Sequence, residues 1–213
     1  MNVVESKFDS DVFGYKVGKL EVHDKSDPGF VRVPFDVVFV RLENLWRYPA
    51  GDVQALDHRY EMGLLGKPSP FSSHSWRVAK VQVKSDRLKE IARASFIDSR
   101  FFRDPALAGK AEQLYVRWLE ASENCWVLSG FENEAFLLQT WDDPFIARVS
   151  LIAVDRGLRG RGLGRKLLEG VLSQVGAQGW RVCVSAGNLK ALELYASVGF
   201  RVLSSSTVYH VWI

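Results

Sequence analysis

The sequence predicts an α/β protein with a mixed central sheet, and three features carry this prediction. Apolar runs rich in β-branched residues alternate with amphipathic helical patterns over residues 77–213. A turn dense in glycine and arginine joins one such run to a helix at 156–164. The stretch 66–76 holds two prolines, four serines and a glycine and has no periodicity. It therefore divides a small N-terminal α/β subdomain, residues 1–76, from a larger domain, residues 77–213.

The N-terminal part contains two strand-like segments and one helix-like segment. "YKVGKLEV" (15–22) and "FDVVFVRL" (35–42) are rich in β-branched residues, as strands are. "VQALDHRYEMGLL" (53–65) is expected to form a short helix.

The second part alternates between helices and strands more regularly. Ser85 or Asp86 is the expected N-cap of its first helix, Asn188 begins its last helix, and Gly199 lies just beyond that helix. The expected helices cover 85–99, 111–123, 164–179 and 188–200, and the expected strands cover 125–130, 134–141, 147–154, 180–186 and 206–213. The final strand has two open alternatives, pairing within the chain or pairing across a homodimer.

Composition limits the classes of function and location. A net charge of +3 over 213 residues does not suggest a nucleic-acid binder. Charges stand where a signal peptide needs its apolar segment, and no apolar run approaches the roughly 18 residues of a membrane span. The two cysteines are far apart and are expected to be free thiols, and the four histidines lack metal-site spacing. We expect a cytoplasmic protein with no membrane partner and no metal.

The turn at 156–164 has the composition of an anion site. Four glycines and three arginines occupy nine residues between an apolar strand and an amphipathic helix. Glycine lets a ligand approach the backbone, and the first N–H groups of a helix have no internal partner. The helix dipole adds partial positive charge at the same end. The turn therefore predicts binding of an anion, most simply a pyrophosphate.

The spacing of the turn excludes two common phosphate motifs. No Gly-Lys-Ser/Thr follows, so the turn is not a Walker loop, and Arg165 stands where a dinucleotide fingerprint needs its last glycine. Arg159, Gly162 and Gly164 instead fit R-x-x-G-x-G. "RGLRGRGLGRKLL" after an apolar strand, with "NLKALELYASVGF" further on, resembles the acyl-CoA-binding motifs of the GNAT N-acetyltransferase family.

This resemblance implies acetyl-CoA as the cofactor and a role for each matching residue. The backbone N–H groups of Arg159, Gly160, Arg161, Gly162, Leu163 and Gly164 would hold the pyrophosphate. Strand residues Ile152, Ala153 and Val154 would pair with the pantetheine amides, and Asn188, Ala191 and Leu192 would contact the same arm. Tyr195 matches the position whose phenol protonates the departing thiolate. Its reference pKa of about 10 lies close to that of a thiol.

A narrower likeness suggests the acceptor. "SKFDSDVFGYKVGKLEV", "SFIDSRFFRDP" and "YVRWLEAS" resemble GNAT enzymes that acetylate the 4-amino group of nucleotide-linked 4,6-dideoxy sugars. This likeness implies that the N-terminal part, residues 1–76, lies beside the larger domain and shapes the side that receives the acceptor. It also implies Arg100 and Arg103 as cations for the nucleotide diphosphate, and Phe13 and Phe102 as walls of the sugar pocket. Trp141, beside the "DDP" turn, is a further candidate for lining the acceptor pocket.

Other interpretations of these residues stay open at this point. The acceptor could instead be a protein N-terminus, a lysine or a polyamine. An alternative function for the chain is that of a non-catalytic regulatory domain that binds acyl-CoA. The alternative role for Tyr195 is that of a core aromatic residue, and the alternative for Asn188 is that it serves only as an N-cap. Arg100 and Arg103 could instead form a solvated helix end. Glu134, Asp142 and Asp143 are candidates for deprotonating the amine, with turn and edge positions as the favoured interpretation. The general base is unassigned.

Overall fold

The structure is a computed structural model of the chain and describes residues 3–22, 34–43, 55–66 and 76–213. Within these ranges ten strands form one open mixed sheet, and six helices pack on it. The strands are β1 (Val4–Glu5), β2 (Val17–Val22), β3 (Val37–Glu43), β4 (Ala55–Leu65), β5 (Val78–Lys80), β6 (Cys125–Leu128), β7 (Ala135–Trp141), β8 (Ile146–Val154), β9 (Gly179–Ser185) and β10 (Arg201–Trp212). The helices are α1 (Lys7–Phe13), α2 (Asp86–Ser95), α3 (Arg100–Arg103), α4 (Ala108–Ala121), α5 (Leu163–Gln174) and α6 (Leu189–Ser197).

The sheet order is β1-β2-β3-β10-β4-β9-β8-β7-β6-β5. β2 pairs with β3 and β8 with β9 in parallel, and the other neighbours are antiparallel. The mixed α/β sheet that the sequence predicts is therefore confirmed. The predicted N-caps are confirmed at both positions: the Ser85 hydroxyl accepts from the Leu88 N–H, and the Asn188 side chain accepts from the Ala191 N–H.

The helices cover the sheet on two faces, each with its own core. On one face, helices α1 to α4 bury residues such as Phe101 and Leu114 against Phe39 and Phe136 of the strands. On the other face, α5 and α6 bury their apolar side chains against β4, β7, β8 and β9. Alternate residues of one strand therefore belong to different cores. We call these the α3 face and the α5 face.

The helix expected over 53–65 is wrong, because the structure has strand β4 from Ala55 to Leu65. β4 lies between β9 and β10 and is hydrogen-bonded to both. Its sequence has the period of a strand: Tyr60, Met62 and Leu64 pack on the α5 face. Asp57 and Glu61, two of the residues that alternate with them, are buried polar residues. Pairing with two neighbours outweighs the local helical tendency.

The boundary at residue 76 stays a prediction about domain organisation, and residues 67–75 of the expected linker lie outside the described ranges. One sheet runs across that boundary, since β3 and β4 both pair with β10. Over residues 206–209 both edges of β10 are paired within the chain, so of the two alternatives for the final strand the structure has pairing within the chain. A homodimer formed through another surface stays a prediction.

Three further features bear on the expectations from composition. Both cysteines are free, and Cys125 is buried. The described helices contain none with the length and apolarity needed to cross a membrane. In the described ranges, histidine, cysteine and acidic side chains form no group of three placed to bind a metal ion.

Phe101 is the central ring of the α3-face core and gives a test of the fold. It is 1% exposed, and its ring lies 5.6 Å from Phe13 and 5.8 Å from Phe39, centroid to centroid. We expect Phe101→Ala to lower the free energy of unfolding by about 3–5 kcal/mol, because it leaves a cavity among rings that cannot collapse fully. Urea denaturation measures this. Phe145→Ala, at a ring that is 56% exposed, is the matched control and should cost far less.

Candidate active site

Strands β8 and β9 separate halfway along their length. They are paired in register from Ile146 opposite Gly179 to Val149 opposite Val182. Beyond that point β8 runs on to Val154 and β9 to Ser185 without pairing to each other. The register of β8 against β7 shifts at the same level, so Ser150 has no opposite residue. Such a bulge bends a strand, and the bend opens a gap in the sheet.

The backbone of β8 presents unpaired groups to this gap. The Asp155 N–H donates to the Glu134 carbonyl at 2.7 Å, so Asp155 and, by alternation, Ala153 are bonded to β7. Ile152 and Val154 then direct their backbone groups into the gap. The Arg159 Nε donates to the Val154 carbonyl at 3.0 Å, as expected for a carbonyl that faces the gap. An extended ligand with amide groups can add here like a strand.

The glycine-rich turn follows the open edge of β8 directly. Gly160 has φ of 80° and Gly162 has φ of 76°, in the left-handed region that favours glycine. Gly162 is the N-cap of α5, and the Lys166 N–H donates to its carbonyl at 3.0 Å. Among the described residues, the backbone N–H groups of 162–164 have no acceptor. A ring of free N–H groups at the start of a 12-residue helix suits a phosphate group.

Some of the cationic side chains around the turn interact with other residues of the chain, and others do not. Arg165 pairs with Glu169 at 2.7 Å, and the Lys166 ammonium lies 4.4 Å from the centre of the Trp76 ring. Arg159 bonds the Val154 carbonyl and the Ser95 hydroxyl. Arg156 and Arg161 are exposed and have no ion-pair partner in the described part of the chain. These two remain to attract an anionic ligand.

Helix α6 closes the gap on the α5 face with apolar side chains. Ile152 and Val154 of β8 are half-buried against the same core as Ala191 and Leu192 of α6. Tyr195 belongs to that core, is 3% exposed, and packs edge-on against Phe200. Burial raises the pKa of Tyr195 far above its usual range. The phenol therefore keeps its proton at neutral pH.

Asn188 is exposed at the start of α6 and is confirmed as its N-cap. Its Oδ1 accepts from the Ala191 N–H at 3.2 Å. That bond uses one acceptor and leaves the amide N–H groups of the side chain available. The N-cap role and the predicted contact with a ligand are therefore compatible.

Arg100 lies on the α3 face and forms no ion pair with another described residue. Its guanidinium lies 4.1 Å from the centre of the Phe101 ring, and its Nε is buried without a hydrogen-bond partner. Burial, with a smaller contribution from Arg59, lowers the pKa of Arg100 to about 10. It stays charged at neutral pH, and Asp57 and Asp9 act on its charge without forming an ion pair with it. Arg103, by contrast, is exposed and donates to the Leu56 carbonyl at 2.9 Å.

The three aromatic residues predicted to contact the acceptor, Phe13, Phe102 and Trp141, differ in burial and in their position relative to the gap. Phe13 is fully buried and packs on Phe101, so the structure contradicts a direct contact between its ring and a substrate. It supports Phe101 from behind instead. Phe102 is half-buried at the edge of the same core and stays a candidate. Trp141 is 46% exposed but pairs with Ala147, before β8 and β9 separate, so it is not brought to the gap.

The three acidic candidates for a base occupy structural positions. Asp142 forms an ion pair with Arg148 at 2.6 Å. Asp143 Oδ1 accepts from the Phe145 and Ile146 N–H groups and fixes the turn. Glu134 accepts from the neighbouring Asn133 N–H in an exposed turn. The favoured interpretation as turn and edge residues agrees with these contacts.

A polar trio that the sequence analysis missed lies beside the gap on the α3 face. The Ser185 hydroxyl donates to Asp57 Oδ1 at 2.6 Å, and Arg59 lies 3.4 Å from Asp57 Oδ2. Asp57 and Arg59 fall in the stretch expected to be helical. The alternation of charged and apolar residues there was the available signal for a strand with one polar face.

Comparison with known proteins agrees with this geometry. Residues 121–202 match the family model described as Acetyltransferase (GNAT) domain. This range includes the strands that border the gap, the glycine-rich turn and α6. A spore coat polysaccharide biosynthesis protein of Bacillus subtilis is 31% identical over 140 residues, 60% of this chain and 47% of the relative. A dTDP-fucosamine acetyltransferase of Escherichia coli is 29% identical over 150 residues, 66% of this chain and 64% of the relative. The match thus spans less than two thirds of either relative.

Solved structures show the same fold. An acetyltransferase of the GNAT family from Novosphingobium aromaticivorans aligns with a TM-score of 0.54 at 18% identity, over 82% of this chain and 73% of that chain. A GCN5-related N-acetyltransferase from Sphaerobacter thermophilus aligns with a TM-score of 0.51 at 15% identity, over 83% and 60%. The chain therefore has the GNAT fold.

Gly162 tests the anion site at the turn. We expect Gly162→Ala to weaken binding of coenzyme A by about tenfold or more, because a side chain at this φ is strained by roughly 1–2 kcal/mol and disturbs the free N–H groups. Isothermal titration calorimetry measures the affinity. Gly176→Ala is the matched control, because Gly176 also faces open space but has no positive φ. Equal affinities for both variants would contradict the assignment of the turn.

Proposed function

We propose that the chain transfers an acetyl group from acetyl-CoA to the amine of a small acceptor. The premise is that residues 121–202 match the family model described as Acetyltransferase (GNAT) domain, whose family takes the acyl group from acetyl-CoA. The observation that carries the proposal is the gap between β8 and β9. It leads from unpaired backbone groups on β8 to the free N–H groups at the start of α5. Pantetheine amides and a pyrophosphate follow each other along coenzyme A in the same order.

The proposed chemistry is direct transfer. A neutral amine attacks the thioester carbonyl, the new C–N bond forms, and the C–S bond breaks. Tyr195 donates its phenolic proton to the departing thiolate. Burial raises the pKa of this phenol, which keeps the proton in place but also makes the phenol a weaker acid. The amine loses one proton as the amide forms. Apolar side chains around Tyr195 limit the access of water to the thioester.

The proposed acceptor is a nucleotide-linked 4-amino-4,6-dideoxy sugar. Arg100 supports this choice, because a half-buried guanidinium whose Nε has no hydrogen-bond partner can donate to an anion such as a diphosphate. Arg103 adds a second cation on the same short helix. One relative is a dTDP-fucosamine acetyltransferase and another is a polysaccharide biosynthesis protein, and both names fit a sugar acceptor.

The same charges disfavour a polyamine as the acceptor. A polycation requires a surplus of acidic groups around its binding site, whereas Arg59, Arg100 and Arg103 converge near Asp57 on the α3 face. A regulatory domain without activity is disfavoured for a different reason, since both the turn and the buried phenol of Tyr195 are present.

The acceptor class is tested by thiol release from acetyl-CoA with a panel of amines. The panel holds dTDP-linked 4-amino-4,6-dideoxy sugars, a polyamine, a lysine peptide and a peptide with a free N-terminus. We expect turnover on the nucleotide sugars and little on the others. Turnover on the polyamine or the peptides alone would contradict the sugar acceptor while keeping the acetyltransferase. No thiol release with any of the amines would contradict the proposed acetyltransferase activity.

The role of Tyr195 predicts a separation of binding from chemistry. We expect Tyr195→Phe to lower kcat by roughly 10²-fold, because the thiolate departs without a proton donor, and to leave the affinity for coenzyme A unchanged. Steady-state kinetics and calorimetry measure the two quantities. Tyr60→Phe, in the same core, is the control. A kcat equal to the wild-type value would show that Tyr195 is only a core residue.

The role of Arg100 predicts an effect on the acceptor alone. We expect Arg100→Met to raise the KM for a nucleotide-linked amino sugar by about tenfold or more, while the KM for acetyl-CoA stays the same. The reason is the loss of a charged hydrogen-bond donor to the diphosphate. Arg93→Met, at an exposed position of α2, is the control. An unchanged acceptor KM would remove Arg100 from the acceptor site.

A further inference from the structure

The side chains of Asp57 and Ser185 join two strands at the α3-face mouth of the gap. Val182 and Val184 of β9 pack on the α5 face, so Ser185, by alternation, points to the α3 face. Asp57 of β4 is 6% exposed, and its Oδ1 accepts from the Ser185 hydroxyl at 2.6 Å. Ser185 itself is half-buried. Its hydroxyl is thus bonded to a carboxylate that is almost inaccessible.

Backbone geometry places this pair at the edge of the gap. The Ala186 N–H donates to the His58 carbonyl at 2.6 Å, so Ala186 is bonded to β4, and Ser185 directs its backbone groups toward β8. The same alternation turns the Cys183 carbonyl into the gap. Arg59 reaches it, because its guanidinium donates to that carbonyl at 3.2 Å. Because Arg59 also contacts the Asp57 carboxylate, it connects Asp57 and Ser185 to the edge of the gap.

Tyr195 and Asp57 lie on opposite faces of the sheet. Tyr195 belongs to the core of the α5 face, whereas Asp57 lies on the α3 face with Arg100. The thioester carbonyl of an acetyl-CoA bound between β8 and β9 can then be reached by a proton donor from one face of the sheet and by an amine from the other. Such a separation keeps the acid from being neutralised directly by the base.

We propose that Ser185 contacts the acceptor amine and passes its proton to Asp57. This inference rests on the proposed function and assigns the base that it lacks. When the amine nitrogen bonds to the carbonyl carbon, its proton moves to the Ser185 oxygen as the Ser185 proton moves to Asp57 Oδ1. The C–S bond then breaks, and the sulfur takes the proton of Tyr195. Solvent later removes the proton from Asp57 and restores that of Tyr195, so the atoms and charges balance.

The groups around Asp57 fit a carboxylate that receives a proton for a short time. Arg59 lies 3.4 Å from Oδ2 on the same strand. Arg100 of α3 and Tyr115 of α4 face Asp57 and interact with it electrostatically. Arg59 and Arg100 thus place two positive charges near this carboxylate. The tetrahedral adduct of an amine and a thioester is acidic enough to give up its N–H proton to such a carboxylate.

The test is single-turnover acetylation by Asp57→Ala, with and without formate. We expect Asp57→Ala to slow the chemical step by roughly 10²-fold, the usual size of a general-base effect. We expect formate to restore a large part of that rate, because the vacated space lies beside Arg59 and admits a small carboxylate. A purely structural role for Asp57 would not give recovery by formate. Asp57→Asn fills the space and should be equally slow but insensitive to formate.

Ser185→Ala provides a second variant with little risk to folding. We expect it to lower the single-turnover rate by about tenfold, since a water molecule replaces the hydroxyl imperfectly, and to bind coenzyme A as the wild-type chain does. Asp142→Asn is the matched control, because Asp142 is also a carboxylate paired with an arginine but lies away from the gap. It should react at the wild-type rate with or without formate.

The outcomes separate this inference from the proposed function. A wild-type chain that acetylates an amine, with Asp57→Ala and Ser185→Ala at the same single-turnover rate, would overturn the relay and leave the acetyltransferase intact. Slow variants without recovery of Asp57→Ala by formate would also overturn it. A wild-type chain that acetylates no amine would overturn both together.

Discussion

The separation of β8 from β9 after Val149 and Val182 is the constraint on which the candidate site depends. Paired strands satisfy each other's backbone groups, and a buried N–H or carbonyl without a partner costs about 1–3 kcal/mol. The open half of β8 therefore has to face water or a ligand with amide groups. The bulge at Ser150 produces this opening at a fixed place. β7 and β4 hold the two separated strands from their other sides, so the gap does not close.

The gap also organises the chemistry around it. Its end on the β8 side continues into the turn, where left-handed glycines release N–H groups at the start of α5. Its α5 face carries a buried phenol that keeps its proton, and its α3 face carries charged groups close to the acceptor side. A thioester in the gap meets an acid from one face and an amine from the other. Strand alternation alone creates this division, because successive residues of β4 and β9 point to opposite faces.

The sequence predicted the parts of the site that depend on local chemistry. The glycine-rich turn at 156–164, the N-cap at Asn188 and the strand–turn–helix order all depend on residues near each other in the chain. The parts that depend on pairing between distant segments were not predictable in the same way. β4 was expected to be helical, because nothing within 53–65 shows that β9 and β10 will lie on both sides of it. Asp57 was missed for that reason. Phe13 was misjudged because burial behind Phe101 depends on how α1 packs.

Amide hydrogen exchange along β8, followed by NMR with and without acetyl-CoA, tests the central claim that this gap receives the pantetheine arm. Without ligand, the N–H groups of Ile152 and Val154 should exchange quickly, and that of Ala153, which is bonded to β7, should exchange slowly. Acetyl-CoA should protect Ile152, Val154 and the turn at 159–164 and leave Ala153 nearly unchanged. Protection of the turn without any change at Ile152 and Val154 would contradict the account, because the phosphate would then bind while the arm lies elsewhere.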